Sequence, residues 1–261
     1  MLYAPILPFN GWKADFALPM NRGYRYGDGF FETMLLKAGR LPLLPYHLER
    51  TEIAKEVLGL AVDIAKCKLQ IEIAMEVLEG KSGTVRLFGH RLGGVGYRTM
   101  SKEAYLFLEF EQELNAQLIP LAITMRSIDN ADYYAFNYKS LSMLPYLFRE
   151  EAAPNEAEIL FAGGTLVEGL NHSVVLGLGG KIVFPFSERG IFSIGKTAVV
   201  DRLLKEKQPY YQQKISAKEL KEAEWVLLLN AKGMQYGATI DGAELPKPPE
   251  EFLAMIAPIW S

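Results

Sequence analysis

Two Gly-Gly pairs, each set between short apolar runs, place the tightest constraint on this 261-residue chain. Gly163-Gly164 separates Ile159–Ala162 from Thr165–Glu168, and Gly179-Gly180 separates Val174–Leu178 from Lys181–Phe184. A two-residue hairpin loop that follows the twist of its strands needs positive φ at its central positions, which glycine adopts without steric cost. Residues 159–184 therefore read as hairpins. Upstream the texture differs. Tyr26–Leu36 reads as a strand entered through a Gly-Asp-Gly turn, with Phe31, Thr33 and Leu35 on one face and Phe30, Glu32 and Met34 on the other. A helix is predicted near 46–59, where Ile53, Ala54, Val57 and Leu58 have helical spacing. A second is predicted near 64–79, with Cys67, Ile71, Ala74, Met75 and Leu78 on one face. Strands near 84–90 and 104–110 follow, joined by the glycine-rich stretch 91–98. The polar run 111–117 is the natural linker, dividing the chain into 1–111, a linker at 112–117, and 118–261. A helix near 197–206, a strand Trp225–Leu229 and a short last helix after the prolines at 246–249 complete an α+β pattern.

That length suits one large or two modest domains. Lys+Arg number 28 against 31 Asp+Glu, a net charge of −3, so nothing electrostatic points to a nucleic-acid partner. The single cysteine, Cys67, excludes an intrachain disulfide and a Cys-based zinc site, and its place on an apolar helix face reads as core filling. Three scattered histidines, His47, His90 and His172, argue against a His-only metal site, and no metal is expected. No apolar run approaches the roughly 18 residues of a membrane span. The first residues lack the pattern of a signal peptide. A cytoplasmic protein with no membrane partner is the expectation.

Four polar features interrupt the apolar patterns. Arg50 lines up with the predicted buried face of its helix. Either its stem covers the core while its head reaches water, or its guanidinium turns inward to clamp a phosphate or carboxylate. Lys139 lies among aromatics in 133–142; desolvated there it could form a Schiff base, and a solvated surface lysine is the alternative. Glu168 ends a hairpin strand, and a carboxylate buried there would need a cationic partner. Finally, residues 190–197 (GIFSIGKT) match the G-x-x-x-x-G-K-T pattern between a strand and a helix. Bulky Ile191 and Phe192, the short remainder of chain, and Asn230 rather than Asp at the end of the next strand speak against an NTPase. A glycine at a helix start is an anion site whatever carries the phosphate. An inward arginine, a lysine among aromatics, an isolated glutamate and this helix start together fit pyridoxal 5'-phosphate (PLP).

In the same motifs the chain resembles the class IV aminotransferases, PLP enzymes of fold type IV. They run in the family's order: residues 22–33 (RGYRYGDGFFET), His47-Leu-Glu-Arg50, Tyr138-Lys139-Ser-Leu and Val167-Glu168-Gly169. The resemblance implies a two-domain fold like that of D-amino-acid aminotransferase, with a barrel-like second domain that carries the lysine. It implies that Lys139 is the Schiff-base lysine, that Glu168 pairs with the cofactor ring nitrogen and that Arg50 binds the phosphate. Gly195, Lys196 and Thr197 match the phosphate loop, and Asn230, Ala231 and Lys232 a second phosphate contact. Tyr26, Phe31 and Thr33 match positions lining the substrate pocket, joined by Tyr97 and Arg98. A homodimer acting on a small amino-acid-like substrate is implied as well.

Within the family three points favour the member that converts 4-amino-4-deoxychorismate to 4-aminobenzoate and pyruvate. Thr33 stands where that lyase carries a threonine thought to assist proton transfer. Residues 93–97 (GGVGY) are similar to its Gly-Gly-Arg-Gly-Tyr, and Asn230-Ala231 to its Asn-Ala. Val95 replaces the arginine of that motif, leaving Arg91 or Arg98 as partner for a substrate carboxylate. Ser142-Met143 and 170–173 (LNHS) also depart from the common pattern. Transamination of a branched-chain or D-amino acid is the alternative; a P-loop NTPase or a non-catalytic relative is more remote.

Overall fold

The computed structural model describes residues 22–93, 96, 101–112, 120–128, 138–142, 155–188 and 190–261. The chain forms two compact units, Met1–Asn115 with Phe136–Leu147, and Ala116–Ala135 with Phe148–Ser261.

In the first unit a helical turn, α1 (Arg22–Tyr26), precedes β1 (Gly29–Leu36), so the strand starts three residues later than its apolar pattern suggests. α2 (Leu44–Leu58), α3 (Ile64–Val77), β2 (Gly83–Arg91) and β3 (Ala104–Gln112) follow. β3 thus takes in Glu111 and Gln112, the first residues of the expected linker; 113–117 lie outside the described residues. The three strands form an antiparallel sheet in the order β1-β2-β3. Strict alternation buries Phe30, Met34 and Leu36, which cluster with Ile71, Ala74 and Leu78 of α3 and with Val85, Leu87, Leu106 and Leu108. At about 1.5–3 kcal/mol for each fully buried large apolar side chain, this cluster holds the unit together. Asp63 caps α3 by accepting from the Lys66 N–H at 3.0 Å. Cys67 is buried in that core, where burial pushes its thiol up to about 11.

α2 differs from its expected face. Val57 is 58% exposed, and the residues turned inward are His47, Arg50, Thr51 and Ala54. Three of these four are polar; of the expected stripe Ala54 is buried and Leu58 packs on the core, whereas Val57 is turned out. Residues 138–142 pair with the free edge of β1: the Phe31 N–H donates to the Lys139 carbonyl at 2.9 Å and the Leu141 N–H to the Gly29 carbonyl at 3.0 Å. The expectation set Lys139 in the segment 118–261; its backbone partners are those of the first unit, because a β-bridge follows the nearest open edge rather than sequence order.

The second unit contains β4 (Leu121–Ser127), β5 (Glu156–Ala162), β6 (Thr165–Gly169), β7 (Ser173–Leu178), β8 (Lys181–Pro185), α4 (Ile194–Lys205), β9 (Tyr211–Gln213), α5 (Ala217–Lys221), β10 (Trp225–Asn230), β11 (Gly233–Ile240), β12 (Ala243–Glu244) and α6 (Glu250–Ile256). Both Gly-Gly pairs form the predicted hairpin turns, with φ of 57° and 77° at 163–164 and 58° and 69° at 179–180. The sheet order is β6-β5-β4-β11-β10-β7-β8-β9. Its ends meet: the Leu166 N–H donates to the Ile215 carbonyl at 2.8 Å, and Thr165 bridges Ser216. The curled sheet thereby closes on itself and removes the exposed edges a sheet would otherwise present. Leu121, Ile123, Ile159, Leu166, Leu176, Val226 and Leu228 fill its interior. Strand β11 escaped the sequence reading although Met234, Tyr236, Ala238 and Ile240 alternate, because the glycines at 233 and 237 read as turn residues.

Among the described residues no helix is long and apolar enough to cross a membrane, and no group of three or more His, Cys, Asp or Glu could hold a metal ion.

Candidate active site

Glu32 occupies a core-facing position of β1, where its neighbours on the same face are Phe30 and Met34. A carboxylate there must be paired. Arg50 supplies two bonds, Nε to Oε1 at 2.7 Å and Nη2 to Oε2 at 2.5 Å. His47, one turn earlier on α2, makes a third contact, Nδ1 to Oε2 at 2.6 Å. All three residues are buried. Burial alone would raise the Glu32 carboxyl; the Arg50 charge and the hydrogen bonds from His47 and Arg50 outweigh it and hold the group at about 2. Burial lowers the His47 pKa, so its ring is neutral near pH 7. An ionised carboxylate only accepts, so His47 carries its proton on Nδ1. Its Nε2 is then an acceptor, buried and without a hydrogen-bond partner among the described residues. Of the two readings open for Arg50, the guanidinium is inward and clamps a carboxylate, that of Glu32.

The other face of β1 is half-exposed and carries Phe31, Thr33 and Leu35, in the predicted alternation. Phe31 stacks on Phe88 of β2 at 6.2 Å between centroids, and Phe88 on Phe107 of β3 at 4.8 Å. Lys139 Nζ lies 5.1 Å from the Phe31 ring centroid. Its aromatic setting therefore comes from β1, three strands away in the sequence order, as well as from buried Tyr138 beside it; Tyr133–Asn137 lie outside the described residues. The Lys139 charge also acts on His47, lowering its pKa further.

Tyr26 has a different task from Phe31. The Gly96 N–H donates to its hydroxyl at 2.9 Å, the main reason its pKa is lowered, and Arg22 Nη1 donates to the Gly96 carbonyl at 2.7 Å. Arg22 and Arg91 both pair with Asp28, at 2.8 and 3.2 Å. Arg91 donates further to the Ser101 and Leu58 carbonyls. Arg91 is thus bound into this fastening, which removes it as an open partner for a substrate carboxylate. Tyr97 and Arg98 lie outside the described residues.

The second unit brings the remaining candidates to one corner. Glu168, at the end of β6, accepts from the Ile191 N–H at 3.1 Å. Ser193 caps α4: its Oγ accepts from the Lys196 N–H at 3.3 Å and shares a hydrogen bond with Ser173 Oγ at 2.9 Å. Gly195 packs so closely on the end of β10 that a Cβ there would lie 2.9 Å from the Asn230 carbonyl oxygen. Asn230 Oδ1 accepts from the Lys232 and Gly233 N–H groups at 2.8 and 3.1 Å, shaping the two-residue turn 231–232. The helix start and this turn are therefore neighbours, as a shared anion site would require. Lys196 and Thr197, however, spend their side chains locally. Lys196 Nζ donates to the Pro185 carbonyl at 3.1 Å, and Thr197 Oγ1 to the Ser193 carbonyl at 2.9 Å. Burial lowers the Lys196 pKa. A P-loop needs that lysine and hydroxyl on the nucleotide, and here the strand entering the loop, β8, is antiparallel to β7. What the corner retains is the first-turn amides of α4. Gly195→Ala should cost about 1–3 kcal/mol through the clash with backbone, read as a lowered midpoint in urea.

Each unit by itself carries groups whose chemistry PLP uses. The first unit carries an amine at Lys139 and a fixed guanidinium at Arg50. The second carries a carboxylate at Glu168 and helix-start amides at a glycine where no side chain intrudes. The sequence reading missed Glu32, His47, Ser173 and Ser193. Glu32 had a signal, a carboxylate alternating with Phe30 and Met34; the serine pair had none, since a hydroxyl in a loop is ordinary.

A mixed first unit followed by a closed, curled sheet is the architecture of the fold type IV PLP enzymes. The amino-transferase class IV family profile matches residues 29–235, and the chain belongs to that family of PLP-dependent enzymes. An aminodeoxychorismate lyase of Bacillus subtilis (strain 168) is 24% identical over 185 residues, 66% of this chain and 63% of that relative's length. The solved 4-amino-4-deoxychorismate lyase of Pseudomonas aeruginosa superposes with a TM-score of 0.80 at 21% identity, covering 95% of both chains. A hypothetical aminotransferase of Mycobacterium tuberculosis, solved in its PLP-bound form, gives 0.78 at 17% identity over 98% of both. At such identities the structural likeness speaks for the fold.

Proposed function

We propose that this protein is a PLP-dependent lyase that converts 4-amino-4-deoxychorismate to 4-aminobenzoate and pyruvate. The observation that carries the reading is the half-exposed face of β1, which presents Phe31 and Thr33 together with the Lys139 amine over the Phe31 ring. The similarity to two lyases of this name supports it. PLP supplies an electron sink for the bond broken at the substrate α-carbon. In this chain Lys139 Nζ would hold the cofactor and would take the α-proton. Thr33 Oγ1 passes a proton at the same face. Arg50 would serve the cofactor phosphate, the α4 amides would offer a second anion contact, and the Glu168 carboxylate would pair with the ring nitrogen. We expect the working form to be a homodimer.

The test is a visible spectrum of the protein with PLP, titrated with aminodeoxychorismate while pyruvate is measured. Pyruvate released in proportion to substrate supports the lyase. Release of a 2-oxo acid from branched-chain or D-amino acids, with no response to aminodeoxychorismate, assigns transamination instead. Lack of both reactions by a protein that retains PLP refutes either activity.

A further inference from the structure

We infer that Glu32 is a positioning residue for the anion-binding guanidinium of Arg50. This rests on the reading that Arg50 holds the PLP phosphate. Glu32 grips Arg50 by one edge, through Nε at 2.7 Å and Nη2 at 2.5 Å, and such a two-toothed pair fixes the plane of the guanidinium as well as its position. The same carboxylate receives His47 Nδ1 at 2.6 Å, so both α2 residues of the cluster register on one group of β1. Strand pairing sets Glu32 in turn: its neighbours in register with β2 are Phe31↔Phe88 and Thr33↔Arg86. The residue that orients the phosphate-binding group therefore sits between Phe31 and Thr33 on the strand proposed to face the substrate, and any shift of β1 moves both.

Charge alone makes the opposite prediction. Ionised Glu32 offsets the Arg50 charge, so removing it would strengthen anion binding if charge were its whole contribution. Glu32→Gln removes the charge and opposes an amide NH₂ to a guanidinium N–H. Glu32→Asp keeps the charge and withdraws the carboxylate by one methylene. Positioning predicts that both loosen the phosphate.

The readout is the ratio of equilibrium affinities for PLP and for pyridoxal, which lacks the phosphate, measured by absorbance or fluorescence titration. Glu32→Gln and Glu32→Asp should each lower this ratio by about 10–100-fold, the loss that follows removal of a group orienting a primary ligand, while pyridoxal affinity stays near that of the wild type. Equal losses for both ligands would show a merely structural part for Glu32 and overturn the inference. Tighter PLP binding by Glu32→Gln would show that Glu32 only offsets charge, and also overturn it. If Glu32→Gln does not fold, the charge-conserving Glu32→Asp decides alone. Wild-type protein that binds neither ligand would overturn the PLP reading and this inference together.

Discussion

Replacing Lys139 with alanine should leave a folded protein that no longer fixes PLP covalently and loses at least about 10²–10⁴-fold in turnover, the share general acid–base catalysis alone supplies. The structure separates this chemical loss from a loss of fold. The Lys139 carbonyl, not its side chain, accepts the Phe31 N–H that ties 138–142 to β1. The side chain is half-buried, with its amine over the Phe31 ring. The cation–π contact that truncation forfeits is worth about 0.5–1 kcal/mol. Borohydride treatment followed by mass measurement should show the cofactor attached to the wild type and absent from Lys139→Ala. Lys139→Arg should not restore it, because a guanidinium stays protonated and is no nucleophile. Attachment surviving in Lys139→Ala would place the reactive amine elsewhere, with half-buried Lys196 the first to examine.

Glu32→Ala should destabilise the first unit by about 3–5 kcal/mol, the cost of leaving one member of a buried ion pair without its counter-charge. Arg50 would keep its charge in an apolar setting, and His47 would lose its acceptor. Acid should bring about the same loss gradually. The folded carboxyl sits at about 2 against an ordinary 4.5. Between these values the unfolded chain binds a proton that the folded one does not, so protonation favours unfolding there. The contribution of Glu32 is complete above about pH 4.5 and disappears as pH falls through about 2. Urea unfolding across that range should show a slope in the wild type that Glu32→Gln lacks. The histidines act at higher pH: burial lowers all three, His90 to about 4, so their neutral forms favour the fold and that support fades as pH falls from 6.5. If Glu32→Gln and the wild type lose stability in parallel below pH 4.5, the depressed carboxyl is wrong.

The first unit's chemistry was only half legible in the sequence. Arg50 was visible as a cation in line with an apolar stripe, and it is buried with Ala54 as that stripe implied, but Val57 is exposed and His47 and Thr51 join the inner face. Period-3.6 reasoning counts apolar residues, and α2 also turns inward His47 and Arg50, whose partner is Glu32 on β1. Lys139 was read among the aromatics preceding it in the chain, and the ring that faces it is Phe31, 108 positions away by number. Arg91 was open as a substrate partner on sequence grounds; its bonds to Asp28 and to two carbonyls could be found only by folding.

By itself the sequence determined what depends on neighbours along the chain. The Gly-Gly turns follow from the φ that only glycine adopts freely. The alternation of β1 follows from the strand period, and the family from motifs in order. The tertiary structure alone decided what depends on residues far apart. It closed the curled sheet through Thr165 and Ser216, set Gly195 against the turn at Asn230, and joined Glu32 to His47 and Arg50. Local pattern records which way a side chain points, whereas the energy of a buried charge is decided by what it meets there.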